Sequence, residues 1–453
     1  MPRKMSKLNQ LHVLSSFVVG KHEDNGIEEL GGLVNLHGSV EIKKLENIVD
    51  VNEAKRAKIM DMKHIDELCL QWSSGDDLVL STQKERDILD NLQPQNGLKE
   101  LEIKGYKGTI FPDWLGNCSY ENMTRVSLKS CKNCCMLPSL GQLPSLKSLS
   151  IEGLDQLRSI GEEFYKNEGA HHSSRIAPFP SLESLEFDNM ACWEVWHVSE
   201  LPKGGLPPNL KELGVGGCEE QLRDLSWMAN LHALTHLTIN GYDCDNIKSY
   251  PEVGSLPHLP SLTTLKIGGF GNLETLECNE ILSLSSLQQL SIQSCLKLEN
   301  MAGEKLPSSL LLLKVDYCPF LGEHCKNKHQ NIWPKISHIP TIQVGEYGWQ
   351  KASFLSVYYF KLKSVLCLET VAAKLSIGPE EIDNCYGQGI AFFMDSTFKM
   401  CIRKLLWQLR LGEHLMNHDD FYCDTKFPET TIPLVLQKLV GTFHAFKSFL
   451  RYD

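Results

Sequence analysis

The chain has 453 residues, of which 45 are basic and 56 acidic, for a formal net charge of −11. This acidic balance argues against a nucleic-acid surface, while 42% hydrophobic and 22% charged residues are typical of a globular protein. The longest nearly apolar stretch, Phe354–Leu368, contains Lys361 and Lys363, so no transmembrane helix is expected.

The N-terminal residues do not resemble a secretion signal. Asn9, Gln10 and His12 interrupt the apolar stretch that a signal peptide needs. We therefore expect a cytoplasmic chain whose 16 cysteines are reduced. The spacing of Leu8, Leu11 and Leu14 predicts an incomplete first repeat over residues 1–30.

Alternating and helical patterns follow in turn. Val40-x-Ile42 predicts a strand, and EAKRAKIMDM at Glu53–Met62 is rich in helix-forming residues. Ile65, Leu68 and Leu70 predict a second strand, and the amphipathic segment Ser81–Leu92 predicts a second short helix.

From Leu98 onward one pattern recurs: an apolar residue, a second three positions later and a third two positions after that. The copies are Leu98/Leu101/Ile103, Met123/Val126/Leu128, Leu146/Leu149/Ile151, Leu182/Leu185/Phe187, Leu210/Leu213/Val215, Leu234/Leu237/Ile239, Leu262/Leu265/Ile267, Leu287/Leu290/Ile292 and Leu310/Leu313/Val315, with a weaker copy at Ile336/Ile339/Ile342. The last two residues of each copy share one face of a short strand, because side chains alternate along a strand.

Such a unit cannot bury its apolar face alone and needs copies on both sides. Its period is that of leucine-rich repeats. The pattern predicts an α/β repeat fold, a leucine-rich repeat solenoid or horseshoe, with a parallel concave sheet and an irregular convex side. The repeat domain is expected over residues 31–345, with the polar insertion Gly161–Ala177 as a loop.

Cysteines provide the main alternative to a purely structural pattern. Cys131, Cys134 and Cys135 form C-x-x-C-C, which could be half of a zinc site or a redox pair. The repeat favours a different interpretation, because the third position after the last apolar residue of each strand needs a small side chain that turns inward. That position is held by Cys131, Cys218, Cys295 and Cys318, which we expect to be structural. The spacing His324-Cys325-x-x-x-His329 is likewise interpreted as capping structure.

Neither a phosphate-binding loop nor the HExxH, GxSxG or kinase signatures occur in the sequence. We expect no catalytic residues, no cofactor and no metal site.

The outward strand positions remain as a candidate binding surface. Parallel strands about 4.8 Å apart would align them over roughly 45 Å for ten strands. The candidate protein-binding residues are Glu100, Glu102, Lys104, Arg125, Ser127, Lys129, Ser148, Ser150, Glu152, Ser184, Glu186, Asp188, His236, Thr238, Asn240, Thr264 and Lys266.

Several segments together resemble the leucine-rich repeat region of plant coiled-coil-type NB-LRR disease resistance proteins. They are LSSFVVGK (14–21), GIEELGGLVNLHGSVEIKKLENI (26–48), HIDELCLQWSS (64–74), FPDWLGN (111–117), LKSCKNCCMLPSLGQLPSLKSLSIEGL (128–154), PFPSLESLEF (178–187) and WPKISHIP (333–340). The resemblance implies a non-catalytic module that contributes to recognising a pathogen effector or a guarded host protein. It also implies a nucleotide-binding switch domain as a partner, if one is supplied elsewhere.

The sequence departs from this family in two ways. It contains no coiled coil and no nucleotide domain, so nucleotide binding does not carry over. Residues 346–453 fall outside the family pattern and form an unassigned tail, expected to be mainly helical or disordered. The alternative to a binding module is a truncated or decayed receptor fragment without independent activity.

Overall fold

The computed structural model describes residues 4–21, 25–73, 82–165, 177–196 and 207–345. These residues belong to one compact unit, Met1–Glu346, and a second unit, Tyr347–Asp453, corresponds to the tail. The tail and its predicted helical periodicities lie outside the described residues. So does most of the predicted insertion loop, at 166–176.

Short parallel strands form the framework of the described unit. In chain order they are β1 (Ser16–Val18), β2 (His37–Lys43), β3 (His64–Gln71), β4 (Glu100–Lys104), β5 (Arg125–Lys129), β6 (Ser148–Glu152), β7 (Ser159–Ile160), β8 (Ser184–Asp188), β9 (Val195–Trp196), β10 (Glu212–Gly216), β11 (His236–Asn240), β12 (Ser249–Tyr250), β13 (Thr264–Gly268), β14 (Thr275–Glu277), β15 (Gln289–Gln293), β16 (Asn300–Ala302), β17 (Leu312–Asp316) and β18 (Thr341–Val344).

The main sheet contains thirteen of these strands in the order β1-β2-β3-β4-β5-β6-β8-β10-β11-β13-β15-β17-β18. Each strand pairs in parallel with the strand of the next repeat; Leu101 aligns with Val126, and Ile103 with Leu128. Thirteen strands at ~4.8 Å give a sheet roughly 60 Å across. The remaining strands form two smaller parallel ladders, β12-β14-β16 and β7-β9.

The recurring triplet explains this sheet and its core. In β4, Leu101 and Ile103 are 1% and 0% exposed, and Leu98, just before the strand, is 0% exposed. The same alternation holds in the following repeats, and one continuous apolar cluster runs from Met5 to Ile339. The prediction of a leucine-rich repeat solenoid with a parallel sheet is therefore confirmed.

The closing copy was predicted in the wrong register. Ile342 and Val344, not Ile339 and Ile342, occupy the inward positions of β18, where they align with Leu313 and Val315. Ile336 instead ends a helical turn, Trp333–Ile336, with proline in its first turn. Proline lacks a backbone N–H and fits the start of a helix, so this segment begins helical and becomes extended only after Pro340.

The α-helices of the described residues are short segments between strands. Within the described residues they are α1 (Val51–Arg56), α2 (Thr82–Asn91), α3 (Glu219–Arg223), α4 (Cys278–Leu282), α5 (Pro319–Lys326) and α6 (Trp333–Ile336). None of them is long and apolar enough to cross a membrane.

The helix predicted over Glu53–Met62 is only half correct. Asp50 and Glu53 form a capping box at the start of α1. The helix then ends at Arg56, because Lys58 has a left-handed backbone with φ 51°, and a separate 3₁₀ turn follows at Ile59–Asp61. The second predicted helix, Ser81–Leu92, is observed as α2.

Large aromatic side chains fill the core behind β8. Trp193 is 2% exposed, and its ring centroid lies 4.8 Å from that of Phe187. Trp196 is 8% exposed and packs 5.3 Å from the same ring. These tryptophans therefore pack in the core behind β8. Phe164 at the start of the insertion is also fully buried, so the insertion begins inside the core.

Candidate functional site

The predicted binding residues lie at the outward positions of the main sheet. We call the surface formed by these outward positions on β2 to β18 the concave face. Inward and outward side chains alternate along each strand, and the paired register places outward residues of neighbouring strands side by side. One row of candidates contains Glu102, Ser127, Ser150, Glu186, Thr238 and Lys266, with Gly214 between Glu186 and Thr238.

The other candidates form the rows on either side of this one. The first contains Glu100, Arg125, Ser148, Ser184, His236 and Thr264, with Glu212 between Ser184 and His236; the second contains Lys104, Lys129, Glu152, Asp188 and Asn240, with Gly216 between Asp188 and Asn240. The structure thus brings every candidate residue onto one face.

The candidates are not equally accessible. Arg125, Glu186 and Lys266 are exposed. Ser127 and Thr264 are each only 9% exposed, because short side chains lie low in rows that also contain longer ones. Sequence position therefore places a residue on the concave face but does not set how much of it a partner could touch.

Ion pairs cover the part of the concave face formed by β2 to β6. Lys43 Nζ lies 3.0 Å from Glu41 Oε2, and Lys104 Nζ lies 2.9 Å from Glu102 Oε2. Longer contacts link neighbouring strands, from Arg125 to Glu100 at 3.7 Å and from Lys129 to Glu152 at 3.6 Å. Exposed pairs of this kind contribute about 0–1 kcal/mol each. Their main effect is to leave this part of the surface with its charges mostly matched.

The central strands differ from this arrangement. At their outward positions β8 and β10 carry Glu186, Asp188 and Glu212 together with Gly214 and Gly216, and no cation. Glycine at position 216 leaves room for its neighbours: a Cβ there would collide with the Asp188 carboxylate and lie 2.9 Å from the Cβ of Asn240.

Asp188 is the most strongly perturbed carboxyl group on the face. Burial, and after it the negative charges of Glu152, Glu186 and Asp243, raise its pKa to about 6, while a hydrogen bond from the Asn189 backbone opposes the shift. A carboxylate in this position carries its charge at a cost in free energy.

Some residues on or beside the concave face were not among the candidates predicted from the sequence. Glu41, Lys43 and Cys69 occupy outward positions on β2 and β3. The patterns at Val40-x-Ile42 and Leu68-x-Leu70 mark both strands, so the same alternation would have found them. Tyr242 is different: it lies in the turn after β11, is 38% exposed and hydrogen-bonds with Ser294. No strand pattern points to that position.

The four turn cysteines share one local geometry. Each is buried, and each thiol donates to the backbone carbonyl two residues earlier. The pairs are Cys131 to Lys129 at 3.5 Å, Cys218 to Gly216 at 2.9 Å, Cys295 to Gln293 at 3.4 Å and Cys318 to Asp316 at 3.3 Å. A small buried donor closes the turn after the strand at each of these sites.

The other ligand-like spacings have packing partners. In the described part of the chain, no group of three or more histidine, cysteine or acidic residues is arranged to hold a metal ion. Cys134 is buried with its thiol 3.2 Å from the Gly108 carbonyl oxygen. His324 and His329 stack with ring centroids 4.3 Å apart beside the end of α5.

The sequence of this chain is similar to one family model and to known plant proteins. Residues 27–154 match the family model described as R13L1/DRL21 LRRs. The disease resistance RPP13-like protein 1 of Arabidopsis thaliana is 33% identical over 343 residues, covering 72% of this chain and 30% of that protein. Disease resistance protein RGA2 of Solanum bulbocastanum is 30% identical over 278 residues, covering 59% of this chain and 26% of that protein.

The chain therefore spans less than a third of the length of these relatives.

Among solved structures, the leucine-rich repeat domain of the type III effector XopL matches with a TM-score of 0.31 and 19% identity, over 61% of this chain and 76% of that one. An internalin from Listeria monocytogenes matches with a TM-score of 0.35 and 15% identity, over 75% and 88%. The family model and the plant relatives confirm what the sequence motifs predicted: this chain is similar to the leucine-rich repeat region of plant disease resistance proteins.

Proposed function

We propose that this chain is a non-catalytic protein-binding module of plant defence. Its concave face would contribute to recognising a pathogen effector or a guarded host protein in the cytoplasm. The observation that carries the proposal is the row arrangement of the concave face, in which varied polar side chains are held in register on thirteen paired strands.

The physical support comes from the separation of the two faces. Inward residues such as Leu149 and Ile151 are 1% and 0% exposed and hold the repeats together. Outward residues such as Ser148 and Glu152 make few demands on that core. Because neighbouring strands fix the backbone, a partner meets a surface whose shape is already ordered, which lowers the entropy cost of binding. The outward side chains can vary without disturbing the repeats that hold them.

The proposed partners are proteins. A nucleotide-binding switch domain, where another part of the receptor supplies one, would be a second partner beside the recognised ligand. The net charge of −11 disfavours nucleic acid, and the proposal includes no cofactor.

A test compares two triple variants of the full chain in a yeast two-hybrid screen against pathogen effectors and their host targets. The concave variant carries His236→Ala, Thr238→Ala and Lys266→Ala, all at exposed outward positions. The control carries Asn246→Ala, Lys248→Ala and Lys297→Ala, which are exposed on the return segments between main-sheet strands.

Partners found with the unmodified chain should be lost with the concave variant and kept with the control. The opposite pattern would place recognition on the return segments and overturn the proposal. Both variants should show the thermal transition of the unmodified chain, because none of the six side chains is buried.

A further inference from the structure

The middle of the concave face carries an unbalanced negative charge. We define the central patch by the outward residues Ser127, Ser150, Glu152, Glu186, Asp188, Glu212, Gly214 and Gly216 on β5, β6, β8 and β10. Its four carboxylates face the same side of the sheet in adjacent strands.

Cations near the central patch do not balance it. Lys129 pairs with Glu152 at 3.6 Å, and Lys211 pairs with Glu183, beside the patch, at 3.2 Å, so neither of these cations pairs with Glu186, Asp188 or Glu212. Among the described residues, no ion pair reaches Glu186, Asp188 or Glu212. Glu186 accepts a hydrogen bond from Ser150 Oγ at 3.1 Å, and a hydroxyl donor does not cancel a charge.

The shape of the central patch leaves the Glu186 side chain exposed, while Asp188 is half-buried. Outward positions 214 and 216 on β10 have no side chain, so the strand beside Glu186 and Asp188 forms a low floor. The Asp188 carboxylate lies over Gly216. Beyond that floor, Tyr242 is 38% exposed and its ring packs against Gly269, after β13.

A second observation also points to a missing partner. Ser127 lies at an outward position of β5, at the edge of the central patch, and is 9% exposed. Its Oγ is buried and has no hydrogen-bond partner. A buried hydroxyl without a partner costs free energy, and a polar group of a docked segment would remove that cost.

We propose that the central patch binds a basic, arginine- or lysine-bearing segment of a protein partner, with the cationic side chain between Glu186 and Asp188 over the glycine floor. The inference rests on the proposed function and specifies the partner's chemistry. A cation at that point would offset the mutual repulsion of the carboxylates, and an arginine can donate to two carboxylate oxygens at once. An acidic segment would meet like charge and be rejected.

The test selects displayed random dodecapeptides against the full chain and then measures their affinity for three variants. The patch variant is Glu186→Gln with Asp188→Asn, which removes charge while keeping shape. The second concave variant is Thr238→Ala with Lys266→Ala. The off-face control is Glu299→Gln with Glu304→Gln, which removes the same charge from exposed positions outside the main sheet.

We expect the selected peptides to be enriched in arginine or lysine. The patch variant should weaken their binding about tenfold or more, and the off-face control should leave it unchanged. Equal weakening by the control would show unspecific attraction to an acidic protein and overturn the inference. Enrichment of acidic or apolar peptides would also overturn it.

The remaining outcomes separate this inference from the proposed function. If the second concave variant weakens binding and the patch variant does not, the concave face binds proteins but the central patch is not the site. If neither concave variant changes the affinity, both proposals fail.

Discussion

Two neighbouring parts of the main sheet differ in the charge balance of their outward side chains. On β2 to β6, acidic and basic side chains are matched, as in the Glu102–Lys104 pair at 2.9 Å. On β8 and β10, two glycines stand beside three carboxylates that lack a cation. The backbone register is unbroken between these two parts. The repeat core therefore fixes the position of the surface residues and leaves their chemistry free.

The largest expected effect tests whether the two parts share one core. Leu128→Ala and Leu213→Ala remove inward side chains of β5 and β10 that are 0% and 2% exposed, respectively. Each should destabilise the fold by about 2–5 kcal/mol through lost burial and the cavity left behind. Thermal unfolding of both variants should give similar falls in Tm. Leu311→Ala, at a position that is 55% exposed, serves as the control and should change little.

A clear difference in the fall of Tm between the two core variants would show that the two parts of the sheet do not share an equally stable core. It would mean that the surface chemistry of the central strands reflects a weaker core beneath them.

A smaller effect should appear only in the central part. Asp188→Asn should stabilise the fold at pH 7.5, because burial and neighbouring carboxylates raise the pKa of Asp188 to about 6. A carboxyl group whose pKa is higher in the folded state makes stability fall as pH rises from about 4 to 7. After discounting for solvent screening, the gain should be about 1–2 kcal/mol.

Denaturation followed at several pH values provides the check. The advantage of Asp188→Asn should shrink as pH falls from 7, and it should be lost below the ordinary aspartate pKa of 3.8, where Asp188 is protonated in both the folded and the unfolded state. Glu186→Gln, at an exposed position of the same strand, is the matched control and should gain less. A pH-independent advantage would rule out titration of Asp188 as its cause.

The smallest effect belongs to the matched surface. Glu102→Gln breaks the ion pair with Lys104. The side chains of Glu102 and Lys104 are 30% and 35% exposed. The loss should be about 0.2–1 kcal/mol and should diminish in high salt. Chemical denaturation at low and high ionic strength measures both. A loss as large as that of the core variants would show that the surface pairs hold the repeats together.

Strand positions could be predicted from sequence because each repeat restates the same inward pattern. Leu146, Leu149 and Ile151 identify β6 without any knowledge of its neighbours. The prediction failed where another local preference competed. Pro334 starts a helical turn and shifted the closing strand, and Lys58 in a left-handed conformation divided the predicted helix.

The properties of the concave face could not be predicted in the same way. Glu186 receives its hydrogen bond from Ser150, 36 positions earlier in the chain. The environment of Asp188 depends on Glu152, Asp243 and the missing side chain at Gly216. These partners lie in different repeats, so the charge balance of the face becomes visible only when the strands are paired. The alternation identifies which residues face outward, and pairing determines what they experience.

The turn cysteines give the solenoid a set of internal reporters. Burial raises the pKa of the Cys218 thiol to about 12, and the Cys318 thiol beside Cys295 is also shifted upward. Thiols in this state carry almost no thiolate at neutral pH and resist alkylation while their turn is closed. Because each repeat contacts mainly its neighbours, opening can begin locally. The alkylation rate of each cysteine, resolved by mass spectrometry, would therefore map where along the array the solenoid first comes apart.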